Sequence, residues 1–456
     1  MKKLDKRAYM CLALAGVLFL GICFYIGKVV VYGSQWVSYP ANSHIYTDGR
    51  ISTGSVYDRN GVLLLANSPG KDPVYSEDTA LRKATLHAVG DRDGNISTAA
   101  NKAFAGRLVG YNLLTGTYSA RENGRQLYLT LDAEACKAAY KALDGRSGTV
   151  GVYNYKTGEI LCMVSSPSYD PANPPTIDPD DTSGVYLNRF LSARLVPGSI
   201  FKLVTAAAAL EQIPDIDSWT YTCTGELPLG TAETDRVTCP EAHGTVTLKD
   251  ALAVSCNCAF ARLSLILGSE TIEDYARKAG LAGSYSVNGI PTAKSTFEFT
   301  DNEVNLAWTG IGQYQDLVNP CAMMVYSGAI AGGGNAAVPR LIDSVKFQNG
   351  LPAGFFFSAK TGTLIEADTA ATLTEMMHNN VIETYGEDNF PGLDLCAKSG
   401  TAEVGASKAP HAWFTGFVRN ENCPYAFIVV VENGGSGSRT AGKVANAVLQ
   451  VLVNNQ

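Results

Sequence analysis

Three short motifs constrain the fold of this 456-residue chain more than any other feature. They are Ser199-Ile200-Phe201-Lys202, Ser255-Cys256-Asn257 and Lys398-Ser399-Gly400-Thr401. Together they supply a serine nucleophile with a nearby lysine, a second hydroxyl with an amide, and a cationic group followed by further hydroxyls. In that order they point to acyl transfer through a serine ester, provided the fold gathers three distant segments into one cleft.

Each motif has decoys, and local context selects among them. Ser68-Pro69-Gly70-Lys71 repeats the first spacing but reads as a turn. Ser199 follows Pro197-Gly198 and opens a run of helix formers from Phe201 to Glu211, so Lys202 is expected on the same face. A serine at a helix start also feels the positive end of the dipole. Ser286-Val287-Asn288 repeats the second spacing among Gly and Pro and reads as an ordinary turn, whereas Ser255–Asn257 joins expected helices at Val246–Val254 and Cys258–Leu267. Lysine followed by Thr or Ser and Gly occurs at Lys156, Lys360 and Lys398. Lys156 falls in a hairpin turn between apolar runs at 148–153 and 160–164, and Lys360 in a loop before an expected helix at Ala367–Met377. Lys398 ends a strand-like run from Leu393, where a strand edge can receive a substrate backbone and Gly400 permits close approach.

Residues Ala8 to Gly27 form an apolar run long enough to span a bilayer, preceded by Lys2, Lys3, Lys6 and Arg7. This charge placement predicts a retained anchor with a cytoplasmic N-terminus and everything else outside; a cleaved signal peptide is the alternative. The net charge of −7 gives no support for nucleic-acid binding. Three regions are expected: tail and anchor at 1–33, a polar, turn-rich domain at 34–123, and a packed α/β domain at 124–456. In the last, a helix at Ala133–Leu143 leads into two strands, and a long, mainly helical insertion follows. Three more strands come near Leu393, His411 and Tyr425–Glu432, before a helix at Ala441–Leu452. Strands gathered at both ends of a domain imply one antiparallel sheet covered by helices.

Beyond the three motifs, several segments carry a family resemblance: Gly54–Gly61, Thr157–Leu161, Ser165–Pro171, Leu187–Arg189, Val196–Lys202, Gly310–Gln313, Ala397–Glu403 and His411–Phe414. On these the chain resembles the class B penicillin-binding proteins, membrane-anchored D,D-transpeptidases that cross-link peptidoglycan, in their short Gram-positive form. The resemblance implies an α/β (α+β) fold of the transpeptidase and serine β-lactamase kind, with a five-stranded antiparallel sheet, a small N-terminal pedestal and one transmembrane helix. It implies a bacterial membrane location with the catalytic domain extracytoplasmic. The implied ligands are stem peptides ending in D-Ala-D-Ala and β-lactams, and the implied partner is a membrane glycosyltransferase of the SEDS family. No cofactor is implied.

The resemblance also implies site roles. Ser199 attacks the carbonyl between the terminal D-alanines, and Lys202 serves as base, its pKa lowered by desolvation and by the charge of Lys398. Ser255 relays a proton to the leaving amine, and Asn257 binds the peptide backbone. Lys398 and Thr401 hold the terminal carboxylate, with Ser399 and Gly400 completing the binding segment, and the N–H groups of Ser199 and Thr401 form an oxyanion hole. Three departures stand out: Tyr314 where the family usually has glycine, Cys258 directly after the second motif, and Ser399 in place of the commoner threonine. Tyr314 is expected to narrow the acceptor side.

Of 11 cysteines, Cys11 and Cys23 lie in the apolar run, and an odd number remains outside it. Cys223 and Cys239 flank a Gly- and Pro-containing loop and suit a disulfide. Zinc held by Cys223, Cys239, His243 and Cys256 or Cys258 is the other arrangement, although the spacing fits no compact zinc motif. Buried free thiols are expected at Cys136, Cys162, Cys321 and Cys396. With five histidines and no cluster, no metal is assigned to the chemistry, and His243 and His411 read as structural. Three other functions share these residues: a D,D-carboxypeptidase, a serine β-lactamase, and a non-enzymatic scaffold or β-lactam sensor.

Overall fold

The computed structural model describes residues 2–37, 46–47, 50–51, 53–68, 71–110, 124–354, 356–405 and 407–454. Helix α1 (Lys2–Val37) contains a 23-residue apolar stretch, Lys6–Lys28, which is exposed along its length. At ~1.5 Å per residue that stretch covers about 35 Å, more than the ~30 Å hydrocarbon thickness of a bilayer.

One sheet has five strands: β1 (Gly148–Asn154), β2 (Ile160–Ser166), β3 (Leu395–Ala402), β4 (His411–Val418) and β5 (Tyr425–Val431). They run in the order β3-β4-β5-β1-β2, and every neighbour is antiparallel. Every residue of β4 and β5 is buried, so both faces of the sheet need cover. Helices α2 (Ala133–Leu143) and α8 (Gly442–Asn454) pack on each other, α2 against β2 and α8 against β5. Helix α6 (Pro320–Ala331) packs on β1, β4 and β5. It is apolar nearly all round and buried except at its last residue, as a helix between layers must be.

Helices α3 (Lys202–Gln212), α4 (Leu248–Ala253), α5 (Asn257–Leu267) and α7 (Ala367–Asn380) complete the set that places the site. Two short hairpins not expected from sequence lie between α3 and α4, pairing Thr220–Cys223 with Gly244–Thr247 and Glu226–Pro228 with Arg236–Thr238. A second, six-stranded sheet crosses the boundary expected at residue 124. It joins Gly54–Tyr57, Leu63–Asn67 and Val74–Tyr75 to Gln126–Leu129, Ile342–Lys346 and Pro352–Gly354. The described residues before 124 thus share one sheet with three strands from the following region.

Asn319 shows how the fold fixes the approach to the first motif. Fully buried, it caps α6 by accepting from Ala322 N at 3.1 Å, and its amide donates to the carbonyls of Leu191 (3.0 Å) and Ala193 (2.9 Å). Asn319→Ala removes the cap and leaves two buried carbonyls without that donor. The expected cost is about 3 kcal/mol, read as a lower melting temperature of the detergent-solubilised chain.

Candidate active site

The residues around Ser199 form a single turn of 3-10 helix, Gly198–Ile200, which leads into α3 with Lys202 as its first residue. Glycines make this junction possible. Gly198 has a φ of +56°, and a Cβ there would lie 2.8 Å from Thr401 O. A Cβ on Gly400 would lie 2.8 Å from Pro197 O. Trp413 Nε1 donates to Val196 O at 2.8 Å, so β4 also grips this segment. Gly400 therefore permits the close contact between the first and third motifs.

The second motif sits on the link between α4 and α5. Ser255 has a φ of +55°, a backbone conformation that non-glycine residues hold only where the surroundings enforce it. Lys202, with no exposed surface, aims its Nζ at this link. It donates to Ser255 O (2.7 Å), Ser255 Oγ (3.2 Å) and Asn257 Oδ1 (2.7 Å), and it lies 5.5 Å from the Phe260 ring centroid. Burial pulls the Lys202 ammonium down to about 7, with neighbouring thiols opposing the shift.

Lys398 is equally buried. Its Nζ donates to Ser255 Oγ at 3.0 Å and to Ser399 O at 3.1 Å. Its pKa lies well below the ordinary lysine value, first through burial and then through the charge of Lys202. Burial is the first cause at both amines, and two cations meeting on one hydroxyl repel each other, so the charged form of each is disfavoured while the other is protonated. Two amines donating to one hydroxyl use both lone pairs of Ser255 Oγ, leaving its own proton free to be given away.

The third motif lies on β3, at the edge of the sheet. Ser399 N donates to Tyr385 Oη at 2.8 Å instead of to β4, so this N–H points to the unpaired edge. Thr401, two residues on, points its N–H the same way. Asn380 Nδ2 donates to Ala397 O at 2.9 Å. The turn after α7 therefore covers the edge as far as Ser399, and the open portion begins at Thr401. Asn257 is less free than expected. Its Oδ1 holds Lys202 and its Nδ2 donates to Thr238 O at 2.8 Å, so one N–H remains for a substrate.

A cavity of about 320 Å³ joins the three motifs, lined by Ser199, Ser255, Asn257, Ser399 and Thr401. Gln313, Glu241 and Glu403 also line it. Sequence reasoning quoted Gln313 and Glu403 only as family matches and did not single out Glu241 or Tyr385. Tyr314 is not a lining residue; its hydroxyl reaches Glu298 Oε1 at 3.5 Å. Lys156 and Lys360 line a different cavity, with Tyr155 and Gly332.

All 11 cysteines are free, and the Cys223 and Cys239 sulfurs are 3.8 Å apart, so the disulfide considered there is not formed. Instead Cys223, Cys239, His243 and Cys256 place one potential ligand atom each within 4.8 Å of one another. His243, read as structural from sequence, belongs to this group.

Known proteins match both the sequence and this architecture. The family model described as the penicillin binding protein transpeptidase domain matches residues 148–452. Peptidoglycan D,D-transpeptidase PbpA of Mycobacterium tuberculosis is 27% identical, over 94% of this chain and 89% of that protein. PbpA of Mycolicibacterium smegmatis is 31% identical, over 74% of each chain. The structure of penicillin-binding protein A from M. tuberculosis as an imipenem acyl-enzyme superposes with a TM-score of 0.77 at 26% identity, covering 88% of this chain and 98% of that one. The chain belongs to the penicillin-binding protein transpeptidase family, as a class B member.

Proposed function

We propose that this chain is a membrane-anchored peptidoglycan D,D-transpeptidase that works through an ester on Ser199. The observation that carries the reading is the meeting of two fully buried lysines on Ser255 Oγ, at a cavity that Ser199 lines. Lys202 in its neutral form takes the proton of Ser199 Oγ as that oxygen attacks the carbonyl carbon of the penultimate D-alanine. The N–H groups of Ser199 and Thr401 receive the developing oxyanion. As the C–N bond breaks, Ser255 passes its hydroxyl proton to the departing amine of the terminal D-alanine and is reprotonated through the lysines. The amine of a second stem peptide then attacks the ester, forms the new amide and returns the proton to Ser199. An entering substrate carboxylate brings Lys398 the negative partner that favours its charged form.

The M. tuberculosis relative forms acyl-enzymes with ceftriaxone and imipenem, and β-lactams are expected to acylate Ser199 here. The basic residues in the first turns of α1, Lys2, Lys3, Lys6 and Arg7, support an extracytoplasmic catalytic domain. A SEDS-family glycosyltransferase is the partner proposed for the anchor and pedestal. Glu241 and Glu403 on the cavity wall favour one second reading, in which a carboxylate activates water and the ester is hydrolysed. The test is a synthetic stem peptide ending in D-Ala-D-Ala, incubated with a labelled D-amino acid as acceptor. Release of D-alanine with label incorporated supports transpeptidation. Release without incorporation favours the carboxypeptidase reading, and no release by a chain that penicillin acylates contradicts both.

A further inference from the structure

The insertion between α3 and α4 has little core of its own. Its four strands are three or four residues long and mostly exposed, and within them only Cys223, Val237 and Val246 are buried. Such a module needs a staple to hold one shape. It carries a group of ligating side chains on its inner side, against the start of α5.

Cys223 ends the strand Thr220–Cys223, Cys239 follows the strand Arg236–Thr238, and His243 precedes the strand Gly244–Thr247. Cys256 caps α5. The Cys223–Cys239 and Cys239–Cys256 sulfur separations are both 3.8 Å. A tetrahedral site with zinc–sulfur bonds of ~2.3 Å has edges of about 3.8 Å, whereas a disulfide needs about 2.05 Å. Two of the sulfurs already accept backbone N–H bonds, Cys239 from Cys258 and Cys256 from Ala259, each at 3.4 Å. This is the support given to metal-bound thiolates. Nδ1 of His243 is buried and has no hydrogen-bond partner. Cys258 lies near, 3.5 Å from Cys239, but its thiol also reaches Val237 O at 3.5 Å, and the compact fourfold group includes Cys256 instead.

We propose that Cys223, Cys239, His243 and Cys256 form a structural zinc site that fastens the hairpin insertion to the second catalytic motif. Three thiolates and one imidazole suit zinc, and four protein ligands leave no position for a metal-bound water, so the ion holds structure and takes no part in the chemistry. Cys256 stands between Ser255 and Asn257, the two residues that receive Lys202 Nζ. Fixing Cys256 fixes both acceptors, so the site positions the catalytic lysine. This last consequence, and only this, rests on the functional reading above.

The test uses the full chain purified in detergent without chelator. Metal analysis is expected to find about one zinc per chain, and less than about a fifth of that in Cys239→Ser. Cys423→Ser, at a buried thiol outside the group, is the control expected to keep the metal. Replacing zinc with cobalt should give the intense visible bands of a tetrahedral ion and near-ultraviolet thiolate charge transfer, both weakened in His243→Ala. These readings need only wild-type and His243→Ala protein should Cys239→Ser not fold. Chelation should slow penicillin acylation of the wild type at least about tenfold, with recovery on adding zinc. A chain two mass units light through a Cys223–Cys239 disulfide overturns the proposal. So does a chain with free thiols that takes up zinc or cobalt no better than Cys239→Ser or His243→Ala. Zinc binding by a chain that penicillin never acylates would leave the metal site standing and remove the functional reading.

Discussion

Lys202→Met is expected to slow acylation by a penicillin about 10³-fold, within the range attributed to general-base catalysis. Methionine keeps the length and apolar stem of lysine, so the fully buried position stays filled while the proton acceptor is lost. The wild-type pH profile gives a second, independent reading. Because burial places the Lys202 pKa near 7, its neutral fraction falls about tenfold for each pH unit below that value and saturates above it. The acylation rate should therefore rise with pH through about 7 and then level off, and the residual rate of Lys202→Met should lose this limb. The three hydrogen bonds from Lys202 Nζ to Ser255 and Asn257 occupy all the protons of an ammonium. Losing one proton frees a lone pair without dismantling the rest. A Lys202→Met chain that acylates within about threefold of wild type, with the limb intact, would assign the base to another group.

Gly312→Ala should have the next largest effect, although the residue touches no substrate. Gly312 has a φ of +77°, and a Cβ there would lie 2.1 Å from Gly198 O and 2.8 Å from Phe201 Cβ. Neither contact can be relieved by rotating a side chain. Gly198 N also donates to Gly312 O at 2.8 Å, so the two loops are joined by their backbones. A methyl group must push Gly198 away and carry Ser199 with it. A displacement near 1 Å at the nucleophile is expected to cost about 100-fold in acylation rate. Gly350→Ala separates the two causes, because Gly350 has a φ of +84° with nothing within 4 Å of the added Cβ. It should show only the conformational penalty of about 1–2 kcal/mol and acylate normally. Wild-type acylation by Gly312→Ala would show that the loop contact does not place Ser199.

What could be read from the sequence follows from where burial leaves a pattern. β1 and β2 and the helices α2 and α8 lie within two residues of their expected bounds, because long apolar runs flanked by turns admit few other readings. The four insertion strands left no such mark, being three or four residues long and largely exposed. The six-stranded sheet was hidden for another reason: Gln126–Leu129 pairs with Ile342–Lys346 more than two hundred residues away, and local pattern carries no information on that pairing. In the site, strand context selected Lys398 over Lys360, and the structure brings Lys398 alone of the three candidates to Ser255. The hold of Tyr385 on Ser399, the use of both ends of the Asn257 amide, and the contact of Gly312 with Gly198 depend on tertiary packing. Spacing along the chain does not encode them. The Cys and His group is an intermediate case, since its members were named from composition and assembled only by the fold.

The central claim, that Ser199 is the acylated nucleophile, is tested most directly by intact mass during exposure to a penicillin, comparing wild type with Ser199→Ala. The account predicts a stable adduct of one drug per wild-type chain, mapped to the peptide containing Ser199, and no adduct in the variant. Persistence of the adduct in Ser199→Ala, its location on another residue, or its absence from the wild type at high drug would contradict it.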